Sequence, residues 1–157
     1  MSDTIIIAPH TDDECIGCYE ILMKKINPII VYMSPDSDEE RKREALTLSK
    51  YIDLKAQLFQ RSIPTNLINK DNILYFPDPY FEKHFFHREI GGIGEKLARE
   101  GFNVIFYSVN MEAPYCKEET NPKRKRHFLE KVYPSQKSLW KYENKYFIFN
   151  GFSKWIF

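Results

Sequence analysis

Thr4-Ile5-Ile6-Ile7-Ala8-Pro9-His10-Thr11-Asp12-Asp13-Glu14 changes character in the middle. Its first five residues form a short β-branched apolar run, the composition of a strand buried on both faces of a parallel sheet. Pro9 ends that run, and an imidazole and three carboxylates follow. Beyond them Ile16, Tyr19, Leu22, Met23 and Ile26 recur at roughly helical spacing. Early acids suit a helix N-terminus, so a helix is expected over residues 14–25. The first unit is therefore strand, polar loop, helix.

The pattern repeats. An apolar run at 28–33 ends in a polar loop at 34–39, and residues 40–51 read as a helix with Ala45, Leu46 and Leu48 inward. Two consecutive strand–helix units predict an α/β fold, a Rossmann-like three-layer sandwich with a mainly parallel sheet and right-handed crossovers. Residues 56–60 and 72–76 are further strand candidates, the second stopped by Pro77 and Pro79. A helix is expected over 87–100, closed by Gly101, despite Gly91, Gly92 and Gly94. Each glycine costs roughly 1 kcal/mol in a helix interior relative to alanine, so close packing against the sheet is the alternative reason for them. Residues 103–108 read as a strand, 123–132 as a basic helix and 145–150 as a late aromatic strand. No repeat or linker divides the 157 residues, and a single domain over 1–157 is expected.

Composition narrows the class. Lys plus Arg is 23 against 22 Asp plus Glu, a formal charge of +1, so no global field points to nucleic acid or an acidic membrane. The run Lys123-Arg124-Lys125-Arg126 reads as a solvated helix face, with contact to a phosphate-bearing substrate as the other use. Three cysteines, an odd number, argue against a disulfide-stapled secreted domain. With no signal-peptide pattern and no stretch long enough to span a bilayer, a cytoplasmic protein is expected. Cys15-x-x-Cys18 overlaps the first helix beside carboxylates that discourage thiolate formation, so buried core cysteines are the default there.

The chemistry concentrates where α/β sheets bind ligands, at the carboxyl ends of strands. One imidazole and three carboxylates crowded at a strand end repel and are costly to desolvate, a cost that a divalent cation relieves. Zinc accepts imidazole nitrogen and carboxylate oxygen, and a catalytic site keeps a position open for water. His10 and Asp13 offer two donors three residues apart. A third must come from another strand end, and His84-Phe85-Phe86-His87, holding two of the four histidines, follows the 72–76 strand. The bland alternative is an acidic helix cap and two surface histidines.

The segment Pro9-His10-Thr11-Asp12-Asp13-Glu14 resembles the Pro-His-Pro-Asp-Asp-Glu signature of the PIG-L/LmbE-like de-N-acetylases, agreeing at five of six positions. Arg41-x-x-Glu44 followed by Ala45 is similar to a second patch of that family. His84-x-x-His87 is similar to its His-Pro-Asp-His element, and Tyr133-Pro134-Ser135-Gln136 to a late Ser-Gln motif. The resemblance implies one Zn2+ per chain on His10, Asp13 and His87, with Asp12 as general base. It implies His84 as the group that stabilises the oxyanion or protonates the leaving nitrogen, and Arg41 as a substrate-binding residue. The reaction implied is hydrolysis of an N-acetyl group from an amino sugar or its conjugate. Zinc-dependent hydrolysis of a different acyl or nucleotide-like substrate, and metal or ligand binding without turnover, stay open as alternatives.

Three departures matter. Thr11 replaces a motif proline, and the chain is shorter than typical members. Phe85 and Phe86 replace the proline and aspartate between the two histidines. That aspartate pairs with the first histidine in the family pattern, so His84 is expected to be less basic unless Glu82 takes its place. Tyr80 and Tyr115 are candidates to stack on a sugar face beside Arg41. Glu14 either orients the water or loop or simply caps the helix, and Ser135 and Gln136 read as structural.

Overall fold

The computed structural model describes residues 2–34, 38–109 and 121–136. The strands are β1 (Thr4–Ala8), β2 (Ile29–Tyr32), β3 (Ala56–Phe59), β4 (Ile73–Pro77) and β5 (Asn103–Tyr107). They form one sheet in the order β3-β2-β1-β4-β5, and every neighbouring pair is parallel. The expected parallel α/β architecture is the observed one.

Alternation along β1 builds the two cores. Ile6 and Ala8 face one layer with Ile30 and Tyr32, packed against Cys15, Leu22, Ala45 and Leu129 from the helical elements. Ile5 and Ile7 face the other layer, with Val31, Phe76 and Phe106 beneath Ile90 and Leu97. Helices α1 (Asp13–Gly17), α2 (Tyr19–Leu22), α3 (Glu39–Leu46) and α5 (Pro122–Val132) therefore contribute to the first layer, and α4 (Phe85–Arg99) covers the second. The period-2 pleat of a doubly buried strand produces this three-layer arrangement.

Several expected boundaries move for physical reasons. The helix expected over 14–25 is two short helices, broken at Cys18, whose φ of −117° and ψ of 22° leave the helical region. The helix expected to reach residue 51 ends at Leu46 and tightens into a 3-10 turn, which leaves Leu46 half exposed rather than inward. Pro77 does not stop β4; it forms the last pair, with Tyr107. Parallel pairing tolerates it at a strand's last position, where its missing N–H goes unneeded. Helix α4 begins two residues earlier than expected because His84 caps it, its Nδ1 accepting from the Phe86 N–H at 3.1 Å. Gly91 and Gly94 sit against Pro77, Pro79 and Phe76, so they serve close packing, whereas Gly92 faces open space. Lys125 corrects the solvated reading of the basic run. It is buried, and its Nζ donates to the Ile16 carbonyl at the end of α1 at 2.6 Å. The strand expected at 145–150 and Tyr115 lie outside the described residues. No helix among the described residues is long and apolar enough to cross a membrane.

Sheet order places the site. The chain runs outward through β1, β2 and β3, then crosses back to lay β4 on the other side of β1. The strand order reverses between β1 and β4, and at such a switch point the loops diverge and leave a crevice. The loop after β1 carries His10, and the first turn of α4, which follows the loop after β4, carries His87.

Candidate metal centre

The loop after β1 turns inward through Asp12. Its φ of 89° lies in the left-handed region, which Asp adopts more readily than most residues. Its carbonyl accepts from the Cys15 and Ile16 N–H groups, which starts α1. Asp13 then projects back across the turn, and its Oδ2 accepts from the His10 N–H at 2.8 Å. After β4, the Asp78 carboxylate accepts from the Tyr80 and Phe81 N–H groups, an Asx turn that folds the chain toward His84 and α4. His87, in the first turn of α4, is buried.

These two loops bring together His10, Asp13 and His87, a group able to hold a metal ion. His10 Nδ1 lies 3.1 Å from His87 Nε2 and 3.4 Å from Asp13 Oδ2; His87 Nε2 lies 3.2 Å from Asp13 Oδ2. Zinc–ligand bonds of about 2.0–2.1 Å at tetrahedral angles put donor atoms about 3.3 Å apart, so this triangle has the dimensions of one face of such a site. The Asp13 and His87 side chains are almost fully enclosed, while that of His10 is 27% exposed. The open side, where a fourth ligand would enter, is thus the His10 side. Exposed His84 stands there, its ring 4.8 Å from that of His10 and 5.1 Å from that of His87.

The electrostatics have the sign of a cation site. Burial alone would lower the His87 pKa, but the Asp13 and Glu82 carboxylates overcome it and carry it up to about 10. Burial alone would raise the Asp13 pKa, and His87 and His10 reverse that and hold it well below the usual carboxylate range. Without a metal, a proton on His87 balances this group. Asp12 behaves oppositely. Burial, helped by Asp13 and opposed by Arg41, pushes its pKa well above the ordinary 3.8.

The remaining expected residues divide. Arg41 comes to the loop: its Nη2 donates to the Thr11 carbonyl at 2.6 Å and lies 3.1 Å from Asp12 Oδ2. Glu44, one turn along α3, accepts from the Ser135 N–H at 2.7 Å and from the Ser135 hydroxyl. The Arg41-x-x-Glu44 and Ser135-Gln136 segments are thereby tied to each other, and Ser135 acts as a brace. Glu14 turns into the core instead of toward the donors. Its Oε1 accepts from the Tyr32 and Tyr133 hydroxyls, and burial, opposed by those bonds, raises its pKa to about 7. Cys15 and Cys18 are buried free thiols, their pKa values raised by burial.

The Tyr80 hydroxyl hydrogen-bonds to Glu95 on α4. Glu82 meets His87 Nδ1 at 3.2 Å. Phe86 packs edge-on to the His10 ring with centroids 5.4 Å apart. His84 accordingly has a lowered pKa, from burial together with neighbouring His87 and His10. The partners of Glu82 and Glu44, namely His87, Ser108 and Ser135, lie on other elements, and no sequence spacing gives them. Compared with known proteins, the chain matches no family model and no curated protein.

Proposed function

We propose that this chain is a zinc-dependent amide hydrolase, binding one Zn2+ on His10, Asp13 and His87 and removing an acetyl group from an N-acetylated amino sugar or its conjugate. The observation that carries the reading is the donor triangle of 3.1, 3.2 and 3.4 Å beside a buried carboxylate of raised pKa. Two imidazole nitrogens and one carboxylate oxygen suit zinc, which takes both donor types in catalytic sites. The resemblance of residues 9–14 to the PIG-L/LmbE-like signature supplies the substrate class. Free, buried Cys15 and Cys18 suit a reducing compartment, and the protein is proposed to be cytoplasmic.

When bound, zinc supplies Lewis acidity to a carbonyl oxygen and to the attacking water. Asp12 takes the proton from that water and hands it to the departing nitrogen. Arg41 fixes the Asp12 carboxylate by the 3.1 Å ion pair and the loop carbonyl by its second bond. His84 Nδ1 is occupied by the Phe86 N–H, so its donor is Nε2–H, available to a developing oxyanion on the open side of the group. A neutral His84 fits the oxyanion role better than the acid role.

A second reading, metal or ligand binding without turnover, is favoured by one observation: Phe86, in the place of the aspartate in the motif it resembles, packs on the His10 ring and offers no carboxylate to His84. Amine release from N-acetylglucosamine conjugates by zinc-loaded protein separates the two. Wild type is expected to turn over, and Asp12→Asn to lose about 100- to 10,000-fold in kcat while keeping its zinc. Zinc-loaded wild type that releases no amine supports the binding reading, and an Asp12→Asn as fast as wild type removes Asp12 from the chemistry.

A further inference from the structure

We infer that Glu82 is a positioning residue for His87, and that the carboxyl end of β5 sets the aim of the metal donors through it. The inference rests on the reading of His10, Asp13 and His87 as metal ligands.

Glu82 lies in the loop after β4, and its side chain has no exposure to solvent. A carboxylate so enclosed is costly unless both oxygens are engaged. Oε2 accepts from the Ser108 hydroxyl at 2.6 Å, and Oε1 from the Val109 N–H at 3.2 Å. Both donors directly follow β5, which pairs with β4 through Pro77 and Tyr107 at its very end. The carboxylate is therefore anchored to the end of β5. On the same Oε1 it meets His87 Nδ1 at 3.2 Å. Arg88 secures the loop backbone, its Nη1 donating to the Glu82 and Lys83 carbonyls at 2.8 and 2.9 Å.

The consequence is directional. A carboxylate facing Nδ1 holds a proton there, so a metal displaces the proton on Nε2 and takes the lone pair of that atom. Nε2 is the atom 3.2 Å from Asp13 Oδ2 and 3.1 Å from His10 Nδ1. Ring rotation and tautomer of His87 are thus both specified from the side away from the metal. A partner of this kind typically contributes 10- to 100-fold in metal affinity.

The test is zinc affinity by chelator competition, with the Co2+ visible spectrum and apo-protein melting measured on the same samples. Glu82→Ala is expected to weaken zinc binding about 10- to 100-fold and to alter the Co2+ bands. Glu82→Gln, which keeps the shape and an acceptor, is expected to recover part of the loss, and Ser108→Ala to lose less than Glu82→Ala. An affinity for Glu82→Ala within twofold of a tightly binding wild type overturns this inference alone. A wild type that takes up no metal overturns it together with the metal reading. Should the variants fail to fold, long-range 1H–15N correlation on zinc-loaded wild type decides: Nδ1–H with zinc on Nε2 is expected, and zinc on Nδ1 overturns it.

Discussion

Two adjacent glycines in α4 should respond to the same substitution with opposite signs. A Cβ on Gly91 would sit 2.6 Å from the Pro77 carbonyl oxygen and 2.7 Å from the Pro79 backbone, whereas a Cβ on Gly92 meets nothing within 4 Å. Ordinary contact begins at 3.4 Å, so Gly91→Ala must move α4 off the end of β4 by 3.4 minus 2.6, or 0.8 Å. The obstructing atoms are backbone and cannot rotate away. Overpacking of that kind costs about 1–3 kcal/mol, against which alanine regains roughly 1 kcal/mol of helix propensity. Gly92→Ala keeps the helix gain with no opposing clash. The two variants should therefore differ by about 1–3 kcal/mol, which is roughly 2–12 °C in Tm for a chain of this size. His87 lies one turn before Gly91 on the same helix face, so a shift of α4 also moves a metal donor. Gly91→Ala should thus also weaken zinc binding, while Gly92→Ala should leave it at the wild-type level. Thermal melts of the apo proteins and chelator competition measure both effects. A Gly91→Ala at least as stable as Gly92→Ala, with unchanged zinc affinity, would refute the packing argument.

Other predictions concern charge. In the apo protein His87 should stay protonated through pH 8, because its pKa is raised to about 10, and histidine NMR shifts followed against pH will report it. The sign follows from linkage: a raised folded pKa contributes stability that is complete below about 6.5 and is lost as pH climbs through 10, so this group's contribution to apo stability falls over that window. Zinc affinity should rise over the same window as the competing proton leaves. A His87 midpoint near 6.5 would contradict the electrostatic account. Lys125→Met should destabilise the fold by about 1–3 kcal/mol in urea, since it strips the donor from the Ile16 carbonyl that ends α1. An unchanged midpoint would mean that this buried amine contributes nothing.

The sheet was legible because each strand is a compact apolar run followed by a polar loop, a pattern with few alternatives in an α/β chain. The break at Cys18 was not legible, because Ile16, Tyr19 and Leu22 keep a helical period across it. The donors His10, Asp13 and His87 were readable because strand ends are where α/β folds gather ligands. What each neighbour meets was not readable. Glu82 lies two residues before His84 and five before His87, and its reach to His87 is set by the turn at Asp78 and the donors after β5, which the sequence does not show together. Lys125 looked like one of four solvated cations until α5 docked on α1.

The most direct measurement is zinc content after metal-replete purification, taken on wild type, His87→Ala and Asp12→Ala together. About one zinc per wild-type chain is expected, none retained by His87→Ala, and retention by Asp12→Ala, whose carboxylate pairs with Arg41 and is not a ligand. A wild type without metal, or a His87→Ala that keeps it, would contradict the account.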